Sequence, residues 1–247
     1  MKFENTEVIG FENAIIGARL PMCKDLQEVK EKSDTGWIDD WKDGEFYKGD
    51  RLDQDSEVGV VKVIGKKDLD LLKRLINADD KIGQPNSKFL RMIHAQVCIT
   101  APLYWWKEMD TYKVGTTANS TSTMHRIANY PITMDCFEMD DFNKSVMIED
   151  TSEDSADVGM NCLWDNLIYC LEQLRQKYNE TKDKRYWKEL IRLLPESWLQ
   201  TRMFDCDYAT LRNIYCWRVK IPHKLTEWKQ FGDWVESLPY AKELICS

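Results

Sequence analysis

The stretch from Cys98 to Ile127, CITAPLYWWKEMDTYKVGTTANSTSTMHRI, constrains the fold more than any other part of the chain. Apolar and polar side chains alternate over 95–100, which predicts a short strand. Pro102 then suits the first turn of a helix, because the N–H that proline lacks would be unpaired there anyway. The residues that follow it carry too many large apolar groups to remain in water. We therefore expect a strand followed directly by a buried aromatic helix.

A polar run follows Gly115. Seven of the eight residues of TTANSTST, at 116–123, have side chains that can form hydrogen bonds. Such side chains compete with the backbone for hydrogen bonds and disfavour a helix. A strand, a buried helix and a dense set of donors and acceptors in close succession indicate a candidate binding site.

Other patterns define the fold class. Helical periodicity occurs over 68–78, 158–178 and 187–194, and a β-branched run over 58–64 predicts a further strand. Asp68 is placed to cap the first of these helices. We predict an α+β fold with a mixed sheet and several long helices, forming a single domain over 1–247.

Two polar stretches interrupt these elements. Residues 33–57 are predicted to form a long inserted loop. Its aromatic side chains either pack against the rest of the domain or cover a ligand. Residues 138–157 contain eight acidic residues and Lys144. This composition predicts a solvated loop or a cation site, although the spacing of the acidic residues matches no calcium-binding loop.

The charge balance limits the partners. The chain has 34 basic and 42 acidic residues, a net charge of -8. An extended nucleic-acid surface is therefore not expected, whereas a small basic pocket for one nucleotide is compatible with this charge. The sequence contains neither an apolar run of about 18 residues nor a signal peptide, so we expect a cytoplasmic protein that does not bind a membrane.

The cysteines and histidines do not suggest a metal site. None of the eight cysteines forms a CxxC pair, and we expect them to be buried, reduced thiols. His94 and His223, the two histidines outside the segment 98–127, lack a third ligand at a zinc spacing. A glycine-rich phosphate loop and a nucleophile elbow are absent from the sequence.

The order strand, Ala-Pro, aromatic helix, basic residue and Asn-x-x-Ser resembles the signature region of the flavin-dependent thymidylate synthases. Their motif reads Arg-His-Arg-x-x-Ser-x-Asn-Glu-x-Ser-x-Arg. Anchored on Asn119 and Ser122, the match keeps Thr117 in place of the first Ser. The residues that replace the remaining motif positions are, in order, Tyr112, Lys113 and Val114 for Arg-His-Arg, Ser120 for Glu and Met124 for the last Arg. Alternatively, the first three positions begin one residue earlier, and His125 and Arg126 substitute for the last Arg.

The resemblance continues after Leu194-Pro195. The segment DYATLRNIYCWR and the later Pro222-His223 correspond to two family segments, and four residues agree in type: Asn213, Arg218, His223 and Glu227. Asp207, Ala209 and Leu225 replace the family's Asn, Arg and Gln. The N-terminal segment FENAIIGARLPM also resembles phage and clostridial relatives of this group.

This resemblance implies a function. The protein would bind dUMP or a related pyrimidine nucleotide, with FAD as cofactor and reduced folate as donor, and transfer one carbon to C5. Arg218 would face the uracil ring as the catalytic residue, and Asn213 would contact the flavin. Alternatively, Arg218 is an exposed helix charge near Asp205 or Asp207, and Asn213 is a capping or surface amide.

The candidate nucleotide- and cofactor-binding residues have polar or charged side chains in or near these segments: His94, Lys107, Tyr112, Lys113, Thr117, Asn119, Ser122, Arg126, Asn213 and His223. The three cations among them, Lys107, Lys113 and Arg126, could hold phosphate or be ordinary surface charges. The two histidines could instead form local hydrogen bonds. We expect Asn119 and Arg218 to line the same cleft.

Several motif arginines are missing, so FAD is expected to bind weakly or not at all. The alternative function is therefore a non-catalytic protein that binds or sequesters a nucleotide. A homotetramer is expected from the resemblance and from the aromatic load of 10 Trp, 10 Tyr and 8 Phe.

Overall fold

A computed structural model describes residues 1–35, 64–79, 85–143, 147–148 and 158–247. Most of the inserted loop predicted over 33–57, nearly all of the strand predicted over 58–64, and most of the acidic loop over 138–157 lie outside the described residues.

The chain divides into two compact units, each built from several segments. Unit 1 comprises Met1–Ile99, Glu108–Asn119 and Arg202–Ser247. Unit 2 comprises Thr100–Lys107 and Ser120–Thr201.

A four-stranded antiparallel sheet has the strand order β1-β2-β6-β3. The strands are β1 (Lys2–Ile9), β2 (His94–Pro102), β3 (Thr116–Ser120), β4 (Met147–Ile148), β5 (Val158–Gly159) and β6 (Leu199–Asp207), of which β4 and β5 form a separate antiparallel pair. The strand predicted over 95–100 is confirmed as β2. Its alternate residues Ala95, Val97 and Ile99 are completely buried, as the period-2 pattern requires.

The described residues contain ten α-helices: α1 (Phe11–Arg19), α2 (Leu26–Lys32), α3 (Lys66–Asn77), α4 (Leu103–Met109), α5 (Thr123–Arg126), α6 (Met160–Thr181), α7 (Lys184–Leu193), α8 (Tyr208–Ile214), α9 (Glu227–Ser237) and α10 (Ala241–Leu244). Short 3₁₀ helices cover Leu20–Met22, Pro85–Met92 and Met134–Cys136. The predicted aromatic helix is confirmed as α4, in which Trp105, Trp106 and Met109 are buried. With the antiparallel sheet, these helices confirm the α+β fold class.

The core of unit 1 forms where α1 and α8 pack against the 3₁₀ helix Pro85–Met92. Ile15, Phe89 and Leu211 contribute side chains from these three elements, and Phe231 contributes another from α9. All four are almost completely removed from water, and each such burial stabilises the fold by about 1.5–3 kcal/mol.

The prediction that Asp68 caps α3 is wrong. Gly65 is the N-cap residue, and the Asp34 carboxylate accepts the backbone N–H groups of Lys67 at 2.8 Å and Asp68 at 3.1 Å. Asp68 lies four residues before the buried Leu72, on the apolar stripe of the helix, so its side chain points into the core.

The Asp68 carboxylate is completely buried and fully hydrogen-bonded. One oxygen accepts Arg19 Nε at 2.5 Å. The other accepts the hydroxyls of Ser33 at 2.5 Å and Thr35 at 2.6 Å, together with the backbone N–H of Thr35 at 3.1 Å. This cluster ties α1, α3 and the chain after α2 together.

In unit 2, α6 and α7 pack against each other over an apolar cluster. Its buried members are Ile127, Ile132, Phe137, Leu171 and Leu190. The helices predicted over 158–178 and 187–194 are confirmed as α6 and α7, with α7 beginning earlier, at Lys184. Asp183 caps α7 by accepting the backbone N–H of Arg185 at 2.9 Å.

An ion pair on α6 anchors the chain before this cluster. Arg175 donates to both oxygens of Glu172, at 2.7 and 2.5 Å, and its third nitrogen donates to the carbonyl of Ala128 at 3.1 Å. Glu172 also accepts the backbone N–H of Ile132 at 2.9 Å. The Arg175 hydrogen bonds lower the pKa of Glu172 to about 2.

All eight cysteines are free thiols, but the expectation that they are buried is wrong for several of them. Cys206 is buried, whereas Cys162 and Cys170 are exposed on α6, because that helix buries only a narrow stripe of residues. Among the described residues, no helix is long and apolar enough to cross a membrane, and no group of three or more His, Cys, Asp or Glu could hold a metal ion.

Candidate functional site

The segment after β6 positions Arg218 in unit 1. Asp207 caps α8, since its carboxylate accepts the backbone N–H of Thr210 at 2.7 Å. The Asp207 N–H donates to the carbonyl of Gly115 at 2.9 Å. Gly115 has φ +69°, and a Cβ there would lie 2.0 Å from Asp207 Oδ2, so glycine is required at this contact.

Arg218 lies in a π-helical turn, Tyr215–Val219, that continues α8. Such turns are rare and occur frequently at functional sites. Helix α9 approaches this turn closely, because a Cβ on Gly232 would lie 2.5 Å from Val219 Cγ1. The turn and its close packing fix the direction in which Arg218 leaves the helix.

The Arg218 guanidinium is held on several sides. Its Nε donates to the Tyr112 hydroxyl at 3.0 Å, and its Nη1 lies 3.2 Å from Glu108 Oε2. Its central carbon lies 5.8 Å from the ring centroid of Tyr112 and 5.3 Å from that of Trp228, within the range of cation–π attraction. The side chain is 25% exposed, and within the described residues Nη2 has no hydrogen-bond partner.

Glu108 is the acceptor at the centre of this group. Its Oε2 accepts from Trp228 Nε1 at 2.9 Å and lies 3.4 Å from His223 Nε2, in addition to the contact with Arg218. The two ring nitrogens of His223 have different neighbours: Nδ1 lies 3.1 Å from the backbone N–H of Leu225, and Nε2 lies 3.1 Å from Arg218 Nη1. Arg218 Nη1 and His223 Nε2 both lie within 3.4 Å of Glu108 Oε2.

We call Glu108, Tyr112, Arg218, His223 and Trp228 the Arg218 cluster. The Arg218 guanidinium and the Glu108 carboxylate have opposite charges and lie 3.2 Å apart, so their charges offset each other. Both charged side chains are partly exposed, at 25% and 33%. Arg218 Nη2 has two N–H donors to offer, and within the described chain Glu108 Oε1 has no partner.

The structure brings three of the predicted site residues together: Arg218, Tyr112 and His223. It does not support the alternative interpretation of Arg218 as an exposed charge near Asp205 or Asp207. Asp207 caps α8, and Asp205 lies 3.0 Å from His94 Nδ1. His94 therefore forms the local hydrogen bond that the sequence left open as an alternative.

Other predicted residues of unit 1 are partly or fully exposed. Lys113 follows Tyr112, and the side chains of Thr117 and Asn119 are exposed on β3. Asn213 is half-buried near the end of α8. Their roles remain predictions.

The remaining predicted residues belong to unit 2. Lys107 is paired with Glu196 at 2.5 Å, so part of its charge is already compensated. Ser122 caps α5. Arg126 donates to the Tyr130 hydroxyl at 2.9 Å and lies over its ring.

Glu108 and Trp228 were missed by sequence reasoning. Trp228 follows Glu227, one of the matched residues, and Glu108 lies in the predicted aromatic helix, four residues before Tyr112. These short spacings are the only signals in the sequence that link either residue to the site.

The fold is that of the flavin-dependent thymidylate synthases. One solved structure with this fold is the flavin-dependent thymidylate synthase ThyX from Helicobacter pylori complexed with FAD and dUMP. It aligns with a TM-score of 0.60 and 14% identity, over 99% of this chain and 98% of that chain. A second ThyX structure from Helicobacter pylori, with FAD and dUMP, gives a TM-score of 0.57 and 16% identity over 99% and 97%.

The UMP/dUMP methylase PolB from Streptomyces cacaoi, bound with 5-Br dUMP, also shares the fold. Its TM-score is 0.54 at 12% identity, over 99% of this chain and 95% of that chain. No protein-family model and no curated protein sequence matches the chain. At these identities the structural matches establish the fold, and they confirm the fold that the sequence resemblance implied.

Proposed function

We propose that this protein binds a pyrimidine nucleotide at the Arg218 cluster. The observation that carries the proposal is a partly exposed guanidinium, fixed by Tyr112 and Glu108, that keeps the Nη2 donors available. Solved structures with this fold contain dUMP or 5-Br dUMP. A fixed, planar guanidinium suits the carbonyl edge of a pyrimidine, because its donors need little ordering when the ligand binds.

Other residues would hold the rest of the nucleotide. Lys113 is an exposed cation next to the cluster residue Tyr112 and suits a phosphate. Asn119 and Thr117 offer polar side chains on β3, and we retain the expectation that Asn119 and Arg218 line the same cleft.

We also propose that the protein forms a homotetramer. Light scattering at micromolar concentration would measure its molar mass.

The residues at the family's flavin-binding positions do not fit FAD well. The Tyr112 hydroxyl already accepts a hydrogen bond from Arg218, Val114 is exposed, and Ala209 is buried. Lys113 is the single cation among these aligned positions, and a lysine lacks the bidentate fork that grips a pyrophosphate. We therefore infer that FAD binds weakly or not at all.

Two functions are compatible with nucleotide binding. The poor fit to FAD favours a non-catalytic protein that binds or sequesters a nucleotide. The alternative is C5 one-carbon transfer to dUMP, which would need FAD and a reduced folate. The visible spectrum of freshly purified protein separates them, because near-stoichiometric flavin absorbance would favour the enzyme.

Calorimetric titration with dUMP tests the binding proposal. The wild-type protein should bind dUMP, and Arg218→Ala should weaken binding by at least about tenfold, since it removes a charged hydrogen-bond donor. Arg192→Ala, which removes an exposed arginine paired with Glu189 on α7, is the matched control and should bind like wild type. The proposal fails if wild type does not bind dUMP or if Arg218→Ala binds it equally well.

A further inference from the structure

We propose that Glu108 is a specificity-determining residue that accepts the N3–H of a uracil-type base while Arg218 donates to the neighbouring carbonyl. The inference rests on the proposed nucleotide binding at the Arg218 cluster. The part of the ligand that the cluster would recognise is the imide edge of the base. The carboxylate of Glu108, which the sequence analysis did not predict as a site residue, thereby has a binding role.

The charge of the cluster favours a base over a phosphate. The Arg218 guanidinium lies 3.2 Å from the Glu108 carboxylate, so its positive charge is already offset by a negative one. A phosphate placed here would meet the negative charge of Glu108 as closely as the positive charge of Arg218. A neutral polar edge avoids this repulsion.

The remaining hydrogen-bonding capacity has two parts. Arg218 Nη2 supplies donors and, within the described residues, has no partner. The Glu108 carboxylate makes one hydrogen bond, from Trp228, and two ion-pair contacts, all at Oε2, so Oε1 is an acceptor without a partner in the described chain. A donor beside an acceptor is complementary to an edge that carries an N–H beside a carbonyl. The imide of uracil has that arrangement.

Three contacts hold Glu108 in place for this task. Trp228 Nε1, Arg218 and His223 all meet Oε2, so the carboxylate is oriented before any ligand arrives. The Trp228 side chain is itself almost completely buried. An acceptor fixed in this way loses little conformational entropy on binding, which strengthens its discrimination between ligands.

The test compares dUMP with N3-methyl-dUMP, which lacks the N3–H, by calorimetry. A hydrogen bond to a charged acceptor predicts that methylation weakens binding to wild type by about 10- to 100-fold. In Glu108→Gln the acceptor is neutral, so the penalty for methylation should fall to less than about tenfold. A purely structural role for Glu108 would change both affinities equally and leave their ratio unaltered.

Asp110→Asn is the matched control. It removes one carboxylate charge two residues away, from a side chain that pairs with Arg202 at 2.6 Å outside the cluster. This variant should show the wild-type methylation penalty. Circular dichroism and thermal melting verify that each variant is folded.

A second measurement needs no variant. When dUMP labelled with ¹⁵N at N3 is bound to wild type, its imino proton should exchange slowly with water, because the proton is held by Glu108. Equal binding of the two ligands by wild type, an unchanged penalty in Glu108→Gln, or a rapidly exchanging imino proton would each overturn the inference while leaving nucleotide binding intact. Failure of wild type to bind dUMP at all would overturn both.

Discussion

Two of the arginine–carboxylate pairs in unit 1, Arg19–Asp68 and Arg218–Glu108, differ in how completely they are satisfied. The Asp68 carboxylate is 0% exposed and receives four donors, one of them from Arg19. The Glu108 carboxylate is 33% exposed, and its hydrogen bond from Trp228 and its ion-pair contacts with Arg218 and His223 all involve one oxygen. In the first pair both carboxylate oxygens accept hydrogen bonds and are closed to water, whereas the second pair retains an acceptor, Glu108 Oε1, and the Nη2 donors of Arg218.

The difference separates a structural role from a binding role. A buried charged group must form its hydrogen bonds within the protein, because a buried charge without hydrogen-bond partners costs several kcal/mol. Such a pair fixes the positions of the elements that supply the donors. A partly exposed pair can leave groups to water, and a ligand can later replace that water.

The largest effect is expected from Asp68→Asn. This change leaves Arg19 as a nearly buried charge without its anion, and breaking such a pair costs about 3–5 kcal/mol of unfolding free energy. Urea unfolding measures it. Asp70→Asn, on the same helix but at an exposed pair with Lys66, is the control and should leave the unfolding midpoint unchanged. If both variants unfold at the same urea concentration, the structural role of Asp68 is wrong.

Arg218→Lys tests the binding half of the comparison. Lysine keeps the charge but loses the planar fork and the stacking on Tyr112 and Trp228. Affinity for dUMP should fall by about 10- to 100-fold, while the unfolding free energy changes far less than in Asp68→Asn. Calorimetry and urea unfolding measure the two quantities. A large loss of stability with unchanged affinity would reverse the assignment.

The sequence predicted the parts of the molecule that local patterns encode. Alternation identified β2, and the apolar load of LYWWKEM identified the buried α4. Arg218 was predicted because its type and order match a family segment. Glu108 was missed, because its contact with Trp228 joins residues 120 positions apart and no local spacing encodes such a contact.

The error at Asp68 has a different cause. An Asp near the start of a helix usually caps it, but the residue also occupies the stripe of Leu72 and Ile76. Because Asp68 lies on this apolar stripe, its side chain is buried. Arg19, Ser33 and Thr35 donate the hydrogen bonds that offset the cost of burying the carboxylate. These donors come from other segments, so the sequence around Asp68 could not reveal them.

A smaller effect is expected from the Glu172–Arg175 pair in unit 2, which is intermediate in exposure between the two pairs of unit 1. The pKa of Glu172 is lowered from 4.5 to about 2 by the Arg175 hydrogen bonds. The folded state therefore favours the ionised form. The pair contributes fully above about pH 4.5, and its contribution is lost as the pH falls towards 2.

This contribution should be about 1–2 kcal/mol after solvent screening. Urea unfolding between pH 5 and 2.5 should show a smaller pH dependence in Glu172→Gln than in wild type. Glu180→Gln, at the exposed pair with Lys177, should retain the wild-type dependence. An identical pH profile for Glu172→Gln and wild type would show that this pair does not stabilise unit 2.

The most direct test of the account is a crystal structure of the protein soaked with 5-bromo-dUMP, in which anomalous scattering locates the bromine. The account predicts a bromine peak beside the Arg218 guanidinium, with the base edge against Arg218 and Glu108. A peak remote from the Arg218 cluster, with this cluster unchanged and in contact with water alone, would contradict it.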